Sequence, residues 1–312
     1  MTRALIFPGQ GSQKVGMGRA LSEAFPEARQ VFAEVDDALG RHLSRLMFEG
    51  PEETLRLTEN AQPALMAVSI AIMRCLEADG KTVPVIASHV AGHSLGEYTA
   101  LCAAGALSLV ETARLLHLRG SAMQRAVPVG EGAMAAILGL SLEDVEAIAA
   151  EAAQGEVCEA ANDNAPGQIV ISGHVAAIER ACALARSRGA KRVMPLPVSA
   201  PFHCALMAPA AETMRPALAN AALAAPRVPL IANVTAAPVV EPETIRELLI
   251  AQITGRVRWR ESVLAFPGLG ITQAVEIGAG KVLSGLVRRI SPEVESLSIE
   301  SPEDLEAFAA TL

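Results

Sequence analysis

The stretch Gly92-His93-Ser94-Leu95-Gly96-Glu97 joins a short apolar segment to a run of helix-forming residues. Residues 88–91 predict a strand, and residues 95–104, followed by Gly105, predict a helix. A serine with a glycine two positions away on each side, at a strand-to-helix junction, is typical of the sharp turn that presents a nucleophilic serine.

The two glycines have a steric reason at such a turn. A side chain two residues before or after the serine would collide with the crossing backbone, and glycine has none. The hydroxyl of Ser94 would then stand at a helix N-terminus, where partial positive charge favours a developing anion. The alternative is a glycine-rich turn that carries a serine by chance, so the rest of the chain must decide.

Composition predicts a large α/β protein. The chain has 312 residues, of which 51% are hydrophobic and 19% charged, enough for one large domain with an insertion or for about two folding units. Seven Phe, one Trp and one Tyr offer few surfaces for stacking nucleic-acid bases. The formal net charge of −8 also disfavours a polyanionic partner, so no nucleic acid is expected.

Cysteine usage and the N-terminus predict a cytoplasmic protein. The five cysteines form no Cys-x-x-Cys pair and are interpreted as reduced thiols. The N-terminal segment has no signal-peptide pattern. The longest apolar run, residues 64–73, is shorter than the ~20 residues that span a bilayer, so no membrane association is expected.

The rest of the chain predicts alternating strands and helices. Residues 274–277 are expected to form the final strand, and residues 278–280 a structural turn. The other predicted strands are 4–7 and 229–234. The predicted helical segments are 19–46 with breaks near Pro26 and Gly40, 51–54, 60–78, 108–126, 243–253, one starting at Trp259, and one ending near Arg289.

Residues 130–198 show a different pattern. Strands at 133–140, 157–161, 168–172 and 191–198, with helices at 142–153 and 175–187, give the order β-α-β-β-α-β. This order predicts a ferredoxin-like subdomain, with a turn at 162–167. The expected architecture is an α/β-hydrolase-like catalytic domain, residues 1–129 and 199–312, that carries the ferredoxin-like subdomain as an insertion.

A serine nucleophile needs a base within hydrogen-bond reach. Of the six histidines, His93 adjoins Ser94, but neighbouring side chains diverge at a sharp turn, so His93 is expected to pack beside it. His203 follows the serine in the chain on a proline-containing loop where the two domains meet, a place that favours ligand clefts. His203 is therefore the preferred candidate for the base.

Arg119 occupies an unusual position. Leu115, Leu116, Ala122 and Met123 stand three or four residues from it, so the guanidinium lies on the apolar stripe of its helix. A buried cation needs an anionic partner. That partner is either a buried Asp or Glu of the protein or a substrate carboxylate, which arginine binds bidentately.

Several segments together resemble the malonyl-CoA:acyl-carrier-protein transacylases of bacterial fatty-acid synthesis. The resemblance spans nearly the whole chain and rests on residues 7–13, 92–97, 118–120, 164–168, 201–203 and 276–278. It implies that Ser94 is the nucleophile and His203 the base. It also implies that the backbone carbonyl of Gln252 orients the imidazole and that the backbone N–H groups of Gln10 and Leu95 form an oxyanion hole.

The same resemblance implies the substrates and partners. Arg119 would hold the malonyl carboxylate, and Phe202 would leave no room for a methyl branch. His93 and Asn162 complete the candidate substrate-binding residues. The implied activity is malonyl transfer from malonyl-CoA to acyl carrier protein through a malonyl-serine, by a cytoplasmic monomer without a resident cofactor. The sequence has no recognisable metal-binding motif.

Three other functions remain open. A serine esterase or thioesterase would share Ser94 and His203, although the sequence lacks a His-Gly-Gly-Gly oxyanion segment and contains Arg119. A non-catalytic carrier-protein-binding module would keep the pocket without the reaction. A free-standing acyltransferase of a polyketide synthase would have the same residues and differ only in its carrier protein.

Overall fold

The computed structural model describes residues 2–198 and 200–312; the predicted domain boundary at Ser199 lies outside the described residues. Within them the strands, in chain order, are β1 (Arg3–Phe7), β2 (His89–Gly92), β3 (Gly132–Leu138), β4 (Cys158–Ala165), β5 (Gln168–His174), β6 (Arg192–Pro195), β7 (Leu230–Ile231), β8 (Pro238–Val239), β9 (Gln273–Ile277) and β10 (Glu295–Ile299).

The helices alternate with these strands, and two short 3-10 turns occupy Ala205–Met207 and Pro267–Leu269. The α-helices are α1 (Arg19–Ala24), α2 (Pro26–Leu39), α3 (Leu43–Glu49), α4 (Glu52–Arg56), α5 (Thr58–Ala78), α6 (Val83–Ile86), α7 (Leu95–Ala103), α8 (Leu109–Ala126), α9 (Leu142–Ala153), α10 (Val175–Ser187), α11 (Ala208–Asn220), α12 (Pro242–Thr254), α13 (Trp259–Leu264), α14 (Val282–Ile290) and α15 (Pro302–Ala309).

The larger sheet has the strand order β10-β9-β1-β2-β7-β8. All neighbouring pairs are parallel except β7 and β8. Leu5 and Phe7 pack into one hydrophobic core and Ala4 and Ile6 into another, because alternate side chains of a strand point to opposite faces. The sheet is therefore buried on both faces, as parallel sheets in α/β proteins usually are.

Helix α5 runs through the core beside this sheet. Its 21 residues begin at Thr58, so Pro63 lies inside the helix rather than in its first turn as predicted. By length and composition alone, this helix could cross a membrane. The uninterrupted apolar run considered from the sequence, residues 64–73, is shorter than the helix. However, 83% of its most apolar stretch is buried inside the protein, as in the central helix of a globular core.

The smaller sheet has the order β4-β5-β3-β6, with every pair antiparallel. Helices α9 and α10 cover one face of it. Ile137 and Ile171 from the strands pack there against Val145, Ile148 and Ile178 from the helices. This core is separate from the two cores of the larger sheet.

The end of β4 is bonded to the segment between α12 and α13. Asn162 forms a parallel bridge with Val257, whose N–H donates to the Ala161 carbonyl at 2.9 Å and whose carbonyl accepts from the Asp163 N–H at 3.0 Å. The buried Asp163 carboxylate also pairs with Arg260 at 2.8 Å. These contacts join the end of β4 to the segment before α13 and to α13 itself.

The predicted turn at 162–167 is wrong for most of its length. Strand β4 continues to Ala165, with Asn162 opposite Val170 and Asp163 opposite Ile169, and only Pro166 and Gly167 turn the chain. Polar residues of this kind usually favour turns. Here Asp163 has Arg260 as a partner and Asn164 has His93, so tertiary contacts override the local preference.

Other errors lie in the C-terminal third. Residues 274–277 do not form the final strand, because β10 follows and pairs with β9. Strand β10 is only partly buried and its sequence, Glu-Ser-Leu-Ser-Ile, gives a weak strand pattern. Helix α11 was not predicted, since Pro209 and Pro216 obscure its helical pattern. The predicted strands at 229–234 and 191–198 shorten to β7 and β6, and the β7–β8 hairpin and α15 were also missed.

Candidate active site

Ser94 stands on the turn between β2 and α7. Its φ of 54° and ψ of −111° are strained for a residue with a side chain. A Cβ on Gly92 would lie 1.9 Å from the Gly96 carbonyl oxygen, and a Cβ on Gly96 would lie 2.3 Å from the Phe7 carbonyl oxygen. The turn therefore tolerates only glycine at these two positions, which is the steric requirement expected from the sequence.

Asn233, two residues after the end of β7, is hydrogen-bonded to this turn. Its side-chain oxygen accepts the backbone N–H of Ser94 at 2.8 Å, and its amide nitrogen donates to the Gly92 carbonyl at 2.7 Å. The residue is fully buried. Asn233 was not among the predicted site residues, although a polar residue at the end of a buried strand is a signal that could have identified it.

His203 lies against the serine. The Ser94 Oγ is 2.7 Å from His203 Nε2, and His203 Nδ1 is 2.8 Å from the backbone carbonyl of Gln252. A carbonyl can only accept, so Nδ1 carries the proton and Nε2 is free to accept from the Ser94 hydroxyl. His203 also has a positive φ, 58°, so both members of the pair stand on strained backbone.

The protonation of His203 suits a base. Burial, with a smaller contribution from the nearby Arg119 charge, lowers its pKa from 6.5 to about 3. The imidazole is therefore neutral at neutral pH, and its accepting nitrogen remains available.

We expect this shift to be visible in solution. In NMR spectra of histidine-labelled protein, the His203 resonance can be identified by its loss in His203→Ala. It should not titrate between pH 5 and pH 8, because this whole pH range lies above the lowered pKa of His203. A midpoint near 6.5 for His203 would contradict this prediction.

Arg119 is 1% exposed, and its guanidinium reaches the nucleophile. One terminal nitrogen donates to Gln62 Oε1 at 2.8 Å. The other donates to Gln252 Oε1 at 2.8 Å and to Ser94 Oγ at 3.2 Å. Within the described parts of the chain no carboxylate forms an ion pair with it. The internal Asp or Glu partner considered from the sequence is thus absent from direct contact there, and neutral amides hold the cation beside Ser94.

Gln62 and the side chain of Gln252 were both missed by sequence reasoning. Gln62 is buried in the first turns of α5 and is also bonded to Thr58 Oγ1 at 2.9 Å. A buried amide in an otherwise apolar helix is the signal that could have revealed it. The sequence assigned Gln252 only its backbone carbonyl, yet its amide group binds Arg119.

The other predicted residues lie around a cleft of about 330 Å³ between the two sheets. Its lining includes Ser94, His203 and Arg119, together with every other site residue predicted from the sequence except Gln252, namely Gln10, Leu95, His93, Asn162 and Phe202. His93 packs beside the turn as expected. Its Nε2 lies 2.8 Å from Asn164 Oδ1 and its ring lies against Trp259.

The two residues expected to donate to an oxyanion border the same cleft. Leu95 is the first residue of α7, so its N–H has no acceptor within the helix. Gln10 lies in the loop after β1, and its side chain accepts from Thr58 Oγ1 at 2.8 Å. Their part in an oxyanion hole stays a prediction.

Known proteins resemble this chain along its whole length. Residues 4–293 match the family described as the acyl transferase domain. The malonyl CoA-acyl carrier protein transacylase of Bacillus subtilis is 46% identical over 310 residues, which are 99% of this chain and 96% of that protein.

Solved structures agree. The crystal structure of an acyl-carrier-protein-S-malonyltransferase from Bartonella henselae superimposes with a TM-score of 0.98 at 55% identity, over 100% of this chain and 99% of that one. A malonyl-transacylase solved in complex with a type II polyketide synthase acyl carrier protein gives a TM-score of 0.97 at 42% identity, with both chains fully covered.

Proposed function

The chain belongs to the malonyl-CoA:acyl carrier protein transacylases of the acyl transferase family, and from that premise we propose that it carries malonyl groups from malonyl-CoA to the pantetheine thiol of acyl carrier protein. One observation supports the assignment most strongly. The reactive Ser94–His203 pair and the cation of Arg119 share one small cleft, with Arg119 3.2 Å from the serine oxygen.

The first half-reaction forms a malonyl ester on Ser94. His203 Nε2 takes the hydroxyl proton while Oγ attacks the thioester carbonyl, and the resulting imidazolium is stabilised through Nδ1–H and the Gln252 carbonyl. The oxyanion lies near the N–H groups of Gln10 and Leu95. The C–S bond then breaks, the proton returns to the CoA sulfur, and CoA leaves.

The second half-reaction reverses these steps with a different thiol. His203 takes the proton of the pantetheine thiol of the carrier protein, whose sulfur attacks the malonyl-serine carbonyl. The ester bond breaks and Ser94 regains the proton from His203. CoA and the carrier protein thus occupy the cleft in turn, which is a ping-pong cycle.

Arg119 selects a short diacid. In a malonyl-serine three bonds separate Oγ from the carboxylate carbon, a span of roughly 4 Å at most. A guanidinium nitrogen already 3.2 Å from Oγ is therefore within reach of that carboxylate after a small adjustment. Acetyl-CoA would leave the buried cation without an anionic partner, which disfavours it strongly.

We expect incubation with malonyl-CoA alone to add one malonyl group to the protein, detected by intact mass spectrometry and located on Ser94 by peptide mapping. Added acyl carrier protein should remove the group and appear as its malonyl thioester. Acetyl-CoA and methylmalonyl-CoA should label more slowly, since the first lacks the carboxylate and the second meets Phe202. Steady release of malonate without an adduct would instead indicate a thioesterase.

A second candidate function, malonyl transfer for a polyketide synthase, differs from the first only in the carrier protein that receives the malonyl group. The similar malonyl-transacylase solved with a polyketide synthase carrier protein supports it. We propose fatty-acid synthesis as the main destination, supported by the 46% identity to the malonyl CoA-acyl carrier protein transacylase of Bacillus subtilis. Competition between the two kinds of carrier protein for the malonyl-enzyme would rank them by kcat/KM.

We also propose a finer description of the architecture. The parallel sheet with a serine on the turn after β2 supports an α/β-hydrolase-like domain, residues 1–129 and 199–312. The order β4-β5-β3-β6 with two helices on one face supports a ferredoxin-like insertion, residues 130–198. A monomeric state, a cytoplasmic location, and the absence of a resident cofactor, of a nucleic-acid partner and of membrane association stay predictions.

A further inference from the structure

Glu97 is fully buried next to the reactive serine, and the mechanism above does not use it. It is the third residue of α7, a position from which a glutamate usually reaches back to the backbone N–H of the helix cap. Here the Ser94 N–H is already bonded to Asn233. The Glu97 carboxylate therefore points elsewhere.

One carboxylate oxygen of Glu97 accepts two hydrogen bonds. The side-chain amide of Gln252 donates to it at 2.7 Å, and the backbone N–H of Asn233 donates at 3.2 Å. The first of these is a short, charge-assisted bond. Burial raises the pKa of Glu97 to about 7, against the opposing effects of both hydrogen bonds and of the Arg119 charge.

Gln252 is the residue through which this carboxylate meets the reactive groups. Its backbone carbonyl faces His203 Nδ1 and its side-chain oxygen accepts from Arg119, both at 2.8 Å. Its amide nitrogen also donates to the Ser94 carbonyl at 2.9 Å. A rotation of this one side chain would therefore disturb the cation and the serine turn together, while the backbone carbonyl that faces His203 would stay in place.

We propose that Glu97 is a positioning residue for acyl transfer: by accepting from the Gln252 amide it fixes the rotamer that sets the Gln252 side-chain oxygen against Arg119 and its amide nitrogen against the Ser94 carbonyl. The inference takes the malonyl substrate from the proposed function. The hydrogen bonds on which it is argued do not depend on that function. It assigns the effect to the place of the acceptor oxygen rather than to the negative charge.

Two substitutions of Glu97 separate the effect of the acceptor position from the effect of the negative charge. Glu97→Gln removes the charge but keeps an oxygen at the same distance from the backbone. Glu97→Asp keeps the charge but withdraws the acceptor by about one bond length, ~1.5 Å, which takes it beyond hydrogen-bond range of Gln252. We expect Glu97→Asp to lower the rate at which Ser94 reacts by about 10- to 100-fold, the range found when a contact that supports a functional site is removed. Glu97→Gln should lower the same rate by less than about tenfold.

Two readouts test different parts of the site. The rate of Ser94 labelling by a fluorophosphonate reports the serine–histidine pair without any malonyl group. The ratio of malonyl to acetyl transfer reports Arg119. Glu97→Asp should lower both the labelling rate and the ratio, whereas a merely structural role would lower the unfolding temperature and leave both unchanged in the folded protein.

Glu276 is a matched control. It is also a fully buried glutamate, and it accepts two backbone N–H groups, those of Leu283 at 3.1 Å and Ser284 at 2.7 Å, at the start of α14. The exchanges Glu276→Asp and Glu276→Gln should destabilise the protein and leave both readouts near wild type.

Three results would overturn the proposal: a Glu97→Asp variant as reactive as wild type, a Glu97→Gln variant slower than Glu97→Asp, or an equal loss of reactivity in the Glu276 variants. If Glu97→Asp fails to fold, Glu97→Gln decides alone, because a loss well above tenfold contradicts the proposal. If wild type reacts with the fluorophosphonate but not with malonyl-CoA, the proposed function is wrong. The rates of fluorophosphonate labelling in the Glu97 variants would still test the positioning role of Glu97.

Discussion

The Ser94→Ala and His203→Ala exchanges should each reduce malonyl transfer by at least ~10²–10⁴-fold, the range attributed to a positioned general base. Without Ser94 no malonyl ester can form. Without His203 the hydroxyl has no acceptor at 2.7 Å for its proton. Single-turnover acylation by malonyl-CoA, followed by rapid-quench mass spectrometry, should show no adduct in Ser94→Ala and measures the loss in His203→Ala at the step where it arises.

The two losses should not add. Residues that act as a unit each remove nearly the whole effect, so the double variant Ser94→Ala/His203→Ala should be no slower than Ser94→Ala alone. The exchange His42→Ala is the control, because the His42 side chain is 87% exposed and outside the cleft. Retention of more than about a tenth of the acylation rate in His203→Ala would exclude His203 as the base.

The Arg119→Ala exchange should lower kcat/KM for malonyl-CoA by about 10²–10⁴-fold, because a buried carboxylate left without its partner costs roughly 3–5 kcal/mol. Acetyl transfer should fall far less, since acetyl has no carboxylate to lose. The preference for malonyl over acetyl should therefore shrink by a similar factor. Competition between the two CoA esters, followed by mass spectrometry of the acyl-enzyme, measures it directly.

Two other exchanges test the cause of this effect. Arg119→Lys keeps the positive charge but loses the planar pair of donors, so its loss should be intermediate. Arg125→Ala, an exposed position in the last turn of the same helix, should leave both substrates unaffected. Equal losses for malonyl and acetyl transfer in Arg119→Ala would show that Arg119 supports the site without binding the malonyl carboxylate.

The predictions from sequence succeeded where the constraint is local. The helices at 142–153 and 175–187 were predicted with their observed bounds, because Ser141 caps the first and both have one continuous apolar face. The serine turn was equally readable, since the steric requirement at Gly92 is local, although the requirement at Gly96 comes from Phe7 of the neighbouring strand β1. Helix α11 and strand β10 were missed because prolines in the one and alternating serines in the other conceal their periodicity.

The hydrogen bonds around the serine could not be read in this way. Gln62, Asn233 and the side chain of Gln252 come from three separate segments, and the sequence around each one does not indicate its hydrogen-bond partner. The family resemblance placed the Gln252 carbonyl, but not the amide group that binds Arg119 and Glu97. Each of these residues gains its partner only when distant segments pack together.

The sequence by itself therefore determined the nucleophile turn, the order of most elements before residue 200 and the family, since short-range sterics and periodicity are written in neighbouring residues. Only the tertiary structure decided which groups meet at Ser94. Its backbone N–H bonds a residue 139 positions away, and Arg119 is held by an amide 133 positions further along the chain. Contacts across such separations depend on how helices and strands pack, because no local rule sets the distance between them.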